Sequence, residues 1–242
     1  MILRQYIGSA TTNILAVVFL TIALLSFGYA EYFDRLFIIF LLGLILFNLT
    51  NANIVSIAFI FLFERSLEEL VFFFSTYLYV KPLIYLLSLW LIRALWYDKL
   101  IKYVILPTIV TCIICELYWY TTLYNAPKIH FYIAMMSLNM ITRHLIFLRV
   151  PIFRKFQVLT LAQKVVKQPL QQTSVDLPLY TLSMINILVI FAMIAEYLIR
   201  HITTLEPLFI YNKYSQAVHL LSAATMFLIT NFIVKSTYKI SA

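Results

Sequence analysis

Long apolar runs recur along the whole chain with very short connections between them, and this pattern limits what the chain can fold into. A helix rises about 1.5 Å per residue, so an apolar run of about 20 residues crosses the hydrocarbon core of a bilayer. Only 12% of the residues are charged, whereas a soluble domain carries roughly 25%. The sequence therefore predicts an all-α, polytopic transmembrane helical bundle in which residues 1–242 form a single integral membrane domain.

Eight apolar segments are predicted to span the membrane. They are residues 11–30, 36–49, 54–69, 71–92, 103–124, 129–148, 179–199 and 217–234. The second and third form a predicted hairpin because turn-prone residues at 50–53 interrupt the run. If residues 36–63 instead form one helix, the chain has seven spans. In the fourth segment, Pro82 predicts a kink because proline lacks an N–H and disfavours helix at the preceding residue.

The long polar segment 149–178 sets the orientation of the predicted bundle. It carries five of the 18 Lys and Arg residues, namely Arg149, Arg154, Lys155, Lys164 and Lys167. Short basic loops stay on the cytoplasmic side of a membrane. Counted from this loop, eight spans leave both termini in the cytoplasm, with twelve basic residues on that side, five on the other and Lys81 inside the bilayer. We expect a bacterial inner (plasma) membrane location.

The same polar segment also contains a predicted surface helix. Apolar residues at 158, 159, 162, 165 and 166 follow helical spacing, and Pro169 ends the pattern. This predicts one basic amphipathic interfacial helix, which lies on anionic headgroups or docks a cytoplasmic protein partner. The net charge of +8 is explained by anionic lipid rather than by direct contact with nucleic acid. Homo-oligomerisation is left open.

Charged residues within apolar runs are costly, and each is therefore a candidate for function. Lys81 lies near the middle of the fourth segment, and Glu116 lies in the outer half of the fifth. Because an opposite charge offsets part of the cost of each, we predict a Lys81–Glu116 ion pair in the bundle. Such a pair is either a structural contact or part of a polar path for an ion or solute.

A second group of charges stands at residues 64–69. On a helix, Glu64 and Glu68 lie one turn apart on one face, and Arg65 reaches both Glu68 and Glu69. One interpretation is a helix end that emerges into the outer headgroup layer. The other is a cation or proton site at the outer mouth of a cavity.

Three histidines, His130, His201 and His219, fall at the outer ends of the last three spans, and Glu196 precedes His201 by five residues. Imidazole and carboxylate groups at one membrane level are candidate ligands for a divalent metal such as zinc. No HxxxH or HExxH spacing accompanies them. Interfacial histidines with solvated or hydrogen-bonded rings are the simpler interpretation, and no cofactor is predicted.

Two classes of function fit these features. The first is a non-enzymatic sensor or membrane subunit of a complex that couples to a cytoplasmic partner through residues 149–178, because the other loops are minimal. The alternative is an ion-, proton- or metal-coupled small-solute transporter or channel with a polar site near Lys81, Glu116 and the outer Glu and His groups. Interrupted helices often flank transport sites and favour the alternative. An enzyme is disfavoured because the sequence has no phosphate-binding glycine loop and no GxSxG motif.

Overall fold

A computed structural model of the chain describes residues 2–74, 77, 79–124, 129–159, 170–203, 205 and 207–237. Across these residues the chain forms α-helices and one π-helical turn, and no β-strand is present in this part. The helices are α1 (Ile2–Leu25), α2 (Ala30–Phe47), α3 (Ala52–Phe74), α4 (Val80–Ala94), α5 (Leu106–Thr121), α6 (Ile129–Phe147), α7 (Arg149–Leu159), α8 (Asp176–Ile202) and α9 (Phe209–Thr237). The predicted all-α class is confirmed.

The predicted break near residues 50–53 is present as the turn between α2 and α3. The Asn51 backbone N–H donates to the Asn48 carbonyl (2.8 Å), and the Asn51 side-chain oxygen accepts the N–H of Asn53 (3.1 Å). An Asn side chain at this position satisfies an N–H that the first turn of a helix leaves without a partner. Residues 36–63 are therefore two helices rather than one.

Pro82 does not kink a long helix as the sequence suggested. The helix α3 ends at Phe74 and α4 begins at Val80, which places Pro82 in the first turn of α4. Proline is tolerated there because the first N–H groups of a helix have no intrahelical acceptor. Lys81, predicted near the middle of a span, is consequently the second residue of a helix.

Pro107 lies inside a continuous helical stretch, Ile101–Thr121. The stretch starts with a π-helical turn, Ile101–Ile105, in which the N–H of Leu106 bonds to the carbonyl of Ile101. A proline in an α-helix clashes with the carbonyl four residues earlier. The wider turn directly before Pro107 relieves that crowding, so that the helix continues through it.

Four helical stretches are long and apolar enough to cross a membrane: Gly8–Leu25, Ile101–Thr121, Asp176–Ile202 and Phe209–Ser236. A fifth is added if Ile129–Phe147 and Arg149–Lys155, which are bent by 77°, count as one broken span. These helices are compatible with an integral membrane protein. The predicted eight spans are not confirmed, because α4 has only 15 residues and α2 and α3 carry the charged groups at 31–35 and 64–69.

The chain divides into two compact units. Unit 1 comprises Met1–Phe63, Thr142–Ser183 and Ser215–Ala242, and unit 2 comprises Glu64–Ile141 and Met184–Tyr214. The core of unit 1 is built on buried side chains that include Phe33, Phe37, Leu41, Ile57 and Met226. The core of unit 2 includes Ile101, Ile105, Ile109, Met136 and Ile190. Each unit thus has an apolar core of its own, and the candidate sites below are described unit by unit.

Candidate functional site

The segment predicted as a basic loop begins, in unit 1, with a sharp change of helix direction. The helix α6 ends at Phe147, α7 begins at Arg149, and the two axes differ by 77°. Pro151 explains the bend, since in a straight continuation its ring would clash with the Phe147 carbonyl. The sequence therefore turns the chain at Leu148 and restarts it as α7.

Arg149, the first residue of α7, is buried with only 1% of its surface exposed. All five of its guanidinium N–H groups donate hydrogen bonds. Nε donates to Asp176 Oδ1 (3.1 Å), Nη2 to Asp176 Oδ2 (2.7 Å) and the Gln171 carbonyl (2.8 Å), and Nη1 to Asn53 Oδ1 (3.3 Å) and Ser56 Oγ (2.9 Å). A guanidinium has five donors in a rigid fork. Its hydrogen-bonding capacity is therefore fully used within the protein.

The acceptors of Arg149 come from three parts of unit 1. Asn53 and Ser56 lie in the first turns of α3, Gln171 lies in the segment before α8, and Asp176 is the first residue of α8. The contact is reinforced because Asn53 Oδ1 also accepts the backbone N–H of Gln171 (2.9 Å). A buried cation requires an anionic partner, and Asp176 supplies it. Arg149 therefore fixes the start of α7 against α3 and α8.

The position of Arg149 differs from the prediction. The sequence suggested a surface that binds lipid or a partner, whereas Arg149 is inside the protein with every donor satisfied. Sequence reasoning also missed Asn53, Ser56 and Asp176. One signal was available, since Asp176 is the single acidic residue in residues 149–178 and a lone acid among basic residues is a natural ion-pair partner.

Beyond its first residue, α7 presents two basic side chains outward. Arg154 and Lys155 are exposed, and between Arg149 and them Phe153 packs edge-on against Phe59 of α3, with ring centroids 6.0 Å apart. The apolar contact and the buried arginine hold one side of the helix, which leaves the charges on the other. Lys164 and Lys167 lie outside the described residues, as does most of the predicted 158–166 helix.

A cavity of about 340 Å³ lies in unit 1 beside the bend. Its lining residues are Ile146, Phe147, Val150, Gln172, Thr173, Asp176, Leu177 and Tyr180. The Tyr180 hydroxyl accepts a hydrogen bond from Arg143, whose guanidinium carbon lies 4.4 Å from the centre of the Tyr180 ring. The hydroxyl oxygen of Thr173 is buried and has no hydrogen-bond partner among the described residues. The cavity thus has both apolar and polar lining residues.

The Lys81–Glu116 contact predicted from the sequence is present in unit 2. Lys81 Nζ of α4 pairs with Glu116 Oε2 of α5, and the two side chains are 34% and 12% exposed. Tyr85, one turn after Lys81 on α4, interacts electrostatically with Glu116. Glu116 Oε1 is buried without a hydrogen-bond partner among the described residues. The predicted contact is therefore confirmed, although Lys81 lies at the start of α4 rather than near the middle of a span.

Glu196 closes the link between α8 and α9 in unit 2. Its two carboxylate oxygens accept the backbone N–H groups of Ile210 (3.1 Å) and Tyr211 (2.6 Å), which belong to the first turn of α9. The first N–H groups of a helix have no intrahelical acceptor, and a negative charge there also interacts favourably with the helix dipole. The carboxylate of Glu196 therefore acts as a cap supplied by a neighbouring helix.

The acidic group of α3 shows the internal pairing expected from its spacing. Arg65 Nη1 lies 2.7 Å from Glu68 Oε2, one turn further along the helix, and both side chains are mostly buried. Glu64 is buried, whereas Glu69 is exposed. The pairing neutralises part of the negative charge of this helix segment.

The three histidines occupy different surroundings. His201 Nδ1 hydrogen-bonds to the Tyr124 hydroxyl (2.9 Å), and its ring centroid is 4.4 Å from that of Tyr197. His219, in unit 1, stacks on Phe33 with centroids 4.5 Å apart. His130 is buried at the start of α6, in unit 2. Within the described part of the chain, no three His, Cys, Asp or Glu side chains are grouped so as to hold a metal ion.

Comparisons of the chain with protein-family models, with curated proteins and with solved structures found no match.

Proposed function

We propose that the protein is a non-enzymatic integral membrane component, either a sensor or a subunit of a membrane complex, that couples to a cytoplasmic protein through residues 149–178. The observation that carries the proposal is the anchoring of α7 by Arg149. The buried guanidinium and its acceptors in α3 and α8 hold the start of the helix, while Arg154 and Lys155 stay exposed. A rigidly held basic surface binds a partner with less loss of conformational freedom than a flexible loop.

The chemistry of this surface indicates the kind of partner. Two adjacent exposed cations attract an acidic protein surface and raise the rate of encounter with it. Phe153 of α7 packs against Phe59 of α3. The partner surface is therefore expected to be polar and acidic, and binding is expected to weaken as the salt concentration rises.

The finer topology belongs to the same proposal. Eight spans in a bacterial inner membrane, with both termini in the cytoplasm, place twelve basic residues on the cytoplasmic side and five on the other. The turn between α2 and α3 supports a hairpin of two short spans. In that topology α7 emerges on the cytoplasmic side, where a soluble partner can reach it.

Site-specific photo-crosslinking in cells tests the coupling. A photoreactive residue replaces Lys155, and a matched one replaces Lys99, which is also exposed and lies on the same side in the proposed topology. We expect a defined covalent adduct with a cytoplasmic protein from position 155 and none from 99. In a second experiment, the proteins that co-purify with two double variants are compared. We expect Arg154→Glu with Lys155→Glu to lose the partner and the control, Arg93→Glu with Lys99→Glu, to retain it. Equal retention by both double variants would contradict the proposal.

A transporter or channel is the second candidate, and the Lys81–Glu116 pair favours it. One carboxylate oxygen of Glu116 pairs with Lys81, while the other is buried without a hydrogen-bond partner in the described part of unit 2. A mostly buried carboxylate beside a lysine and a tyrosine is a group that can take up a proton or a cation. Proteoliposomes with the purified protein test this: a cation or proton flux that Glu116→Gln abolishes, without loss of thermal stability, would favour transport over coupling.

A further inference from the structure

The cavity at the α6–α7 bend is as large as a typical small-molecule binding site. Its volume of about 340 Å³ lies within the roughly 300–1,000 Å³ range of small-molecule sites. Two of its lining side chains, Phe147 and Leu177, are 60% and 72% exposed. The cavity therefore opens at the protein surface through apolar side chains, as an entrance for a hydrocarbon chain would require.

The walls of the cavity match a molecule with an apolar and a polar end. The apolar wall consists of Ile146, Phe147, Val150 and Leu177. The polar lining residues are Gln172, Thr173, Asp176 and Tyr180.

The charges around the cavity favour an anion. Arg154 follows Val150 by four residues on α7, so both lie on the same face of that helix, and Arg154 is exposed. On the other side, Arg143 contacts the lining residue Tyr180. The one acid in the lining, Asp176, is neutralised by Arg149 at 2.7 Å. Arg154 therefore lies one turn along α7 from a lining residue, and Asp176, the acid among the described lining residues, is already paired.

We propose that this cavity binds one anionic phospholipid, with an acyl chain against the apolar wall and its phosphate beside Arg154. A bilayer supplies such lipids, and basic pockets at the ends of transmembrane helices bind their headgroups. A bound lipid would add to the membrane contact of residues 149–178. This proposal rests on the membrane location in the proposed function and does not depend on a protein partner.

Native mass spectrometry of the full-length protein tests the site. The protein is extracted from nanodiscs that contain equal amounts of phosphatidylglycerol and phosphatidylcholine, and the retained lipid is identified by mass. We expect one phosphatidylglycerol per chain in the unaltered protein. Val150→Trp fills the cavity and should lower retention about tenfold or more, and Arg154→Gln should remove the preference for the anionic lipid. Arg93→Gln removes an exposed cation elsewhere and should change neither.

Further measurements keep the test decisive. Leu177→Trp blocks the entrance at an exposed position, so it should abolish retention even if Val150→Trp fails to fold. Phosphatidylglycerol should raise the Tm of the unaltered protein but not of Leu177→Trp, because a ligand stabilises only a protein that binds it. Soluble glycerol phosphate should not raise the Tm. Equal retention of both lipids by the unaltered protein, or unchanged phosphatidylglycerol retention in Leu177→Trp, overturns the proposal. Loss of the protein partner alone leaves it standing.

Discussion

Arg149 and Asp176, 27 residues apart in the chain, form a two-pronged ion pair in which Nε and Nη2 of the guanidinium donate to the two carboxylate oxygens at 3.1 and 2.7 Å. The pair joins the first residue of α7 to the first residue of α8. A planar guanidinium matches a carboxylate in this geometry, and a lysine cannot reproduce it. The ends of the polar segment are thus held together independently of the residues between them.

Removal of the carboxylate is expected to destabilise unit 1 strongly. Asp176→Ala leaves the buried guanidinium without its counter-charge, which typically costs about 3–5 kcal/mol. The double variant Arg149→Met with Asp176→Ala should lose less, because it leaves no uncompensated charge. Thermal unfolding in detergent measures both. As a control, Arg154→Met at an exposed position should change the free energy of unfolding by no more than roughly 0.5 kcal/mol. Equal losses in all three variants would show that the pair does not stabilise the protein.

A double-mutant cycle is expected to show coupling between Lys81 and Glu116. Lys81→Met and Glu116→Gln should each lower thermal stability, and the double variant should recover part of the loss because it leaves neither charge alone. Lys81 is 34% exposed, so solvent screening limits the coupling to roughly 0.5–1 kcal/mol. Strictly additive losses would mean that the two groups do not interact in solution. Recovered stability with lost flux would favour the transporter candidate.

Charge reversal in the polar segment should weaken its attachment to anionic membranes. A peptide of residues 149–169 is expected to bind vesicles that contain phosphatidylglycerol. Each Lys near an anionic surface contributes about 1 kcal/mol, so Lys164→Glu with Lys167→Glu should weaken binding about 30-fold or more. Vesicle sedimentation at two salt concentrations measures the effect, with phosphatidylcholine vesicles as the control. Binding that responds to neither charge nor salt would contradict the interfacial helix.

Reporter fusions test the proposed topology. Fusions after Gln168 and Ser241 should report the cytoplasm, and a fusion after Tyr124 should report the opposite side, because eight spans place α7 and both termini inside. Two reporters are fused at each position: an enzyme that is active only in the periplasm and a protein that is fluorescent only in the cytoplasm. The two should give opposite signals at every fusion site. An external Gln168 would overturn the whole map. An external N-terminus would overturn only the proposal that α2 and α3 each cross the membrane.

Helix positions were largely predictable from hydropathy. The predicted segment 129–148 corresponds to α6 at Ile129–Phe147, and 179–199 lies within α8 at Asp176–Ile202. The Lys81–Glu116 contact was predictable for a related reason, since a charge inside an apolar run needs a partner and few were available. Pro82 was ambiguous, because the same residue kinks a helix interior and suits a helix start.

The environment of Arg149 could not be predicted from patterning alone. Charges in a polar segment are normally exposed, and the burial of Arg149 depends on acceptors from α3 and α8 that lie far away in the sequence. The histidines show the opposite difficulty. The predicted topology gave them a common depth, but depth alone does not specify neighbours: His201 contacts Tyr124, and His219 stacks on Phe33.

The π-helical turn Ile101–Ile105 has a geometric consequence for the residues that follow it. Its hydrogen bond from Leu106 to Ile101 spans one residue more than an α-helical bond does. One extra residue rotates everything downstream by about 100° around the helix axis, since a full turn takes 3.6 residues. The direction in which Glu116 points is thereby set more than ten residues upstream of it. Without the extra residue, every side chain of α5 would point about 100° away from its present direction, and a different one would face Lys81.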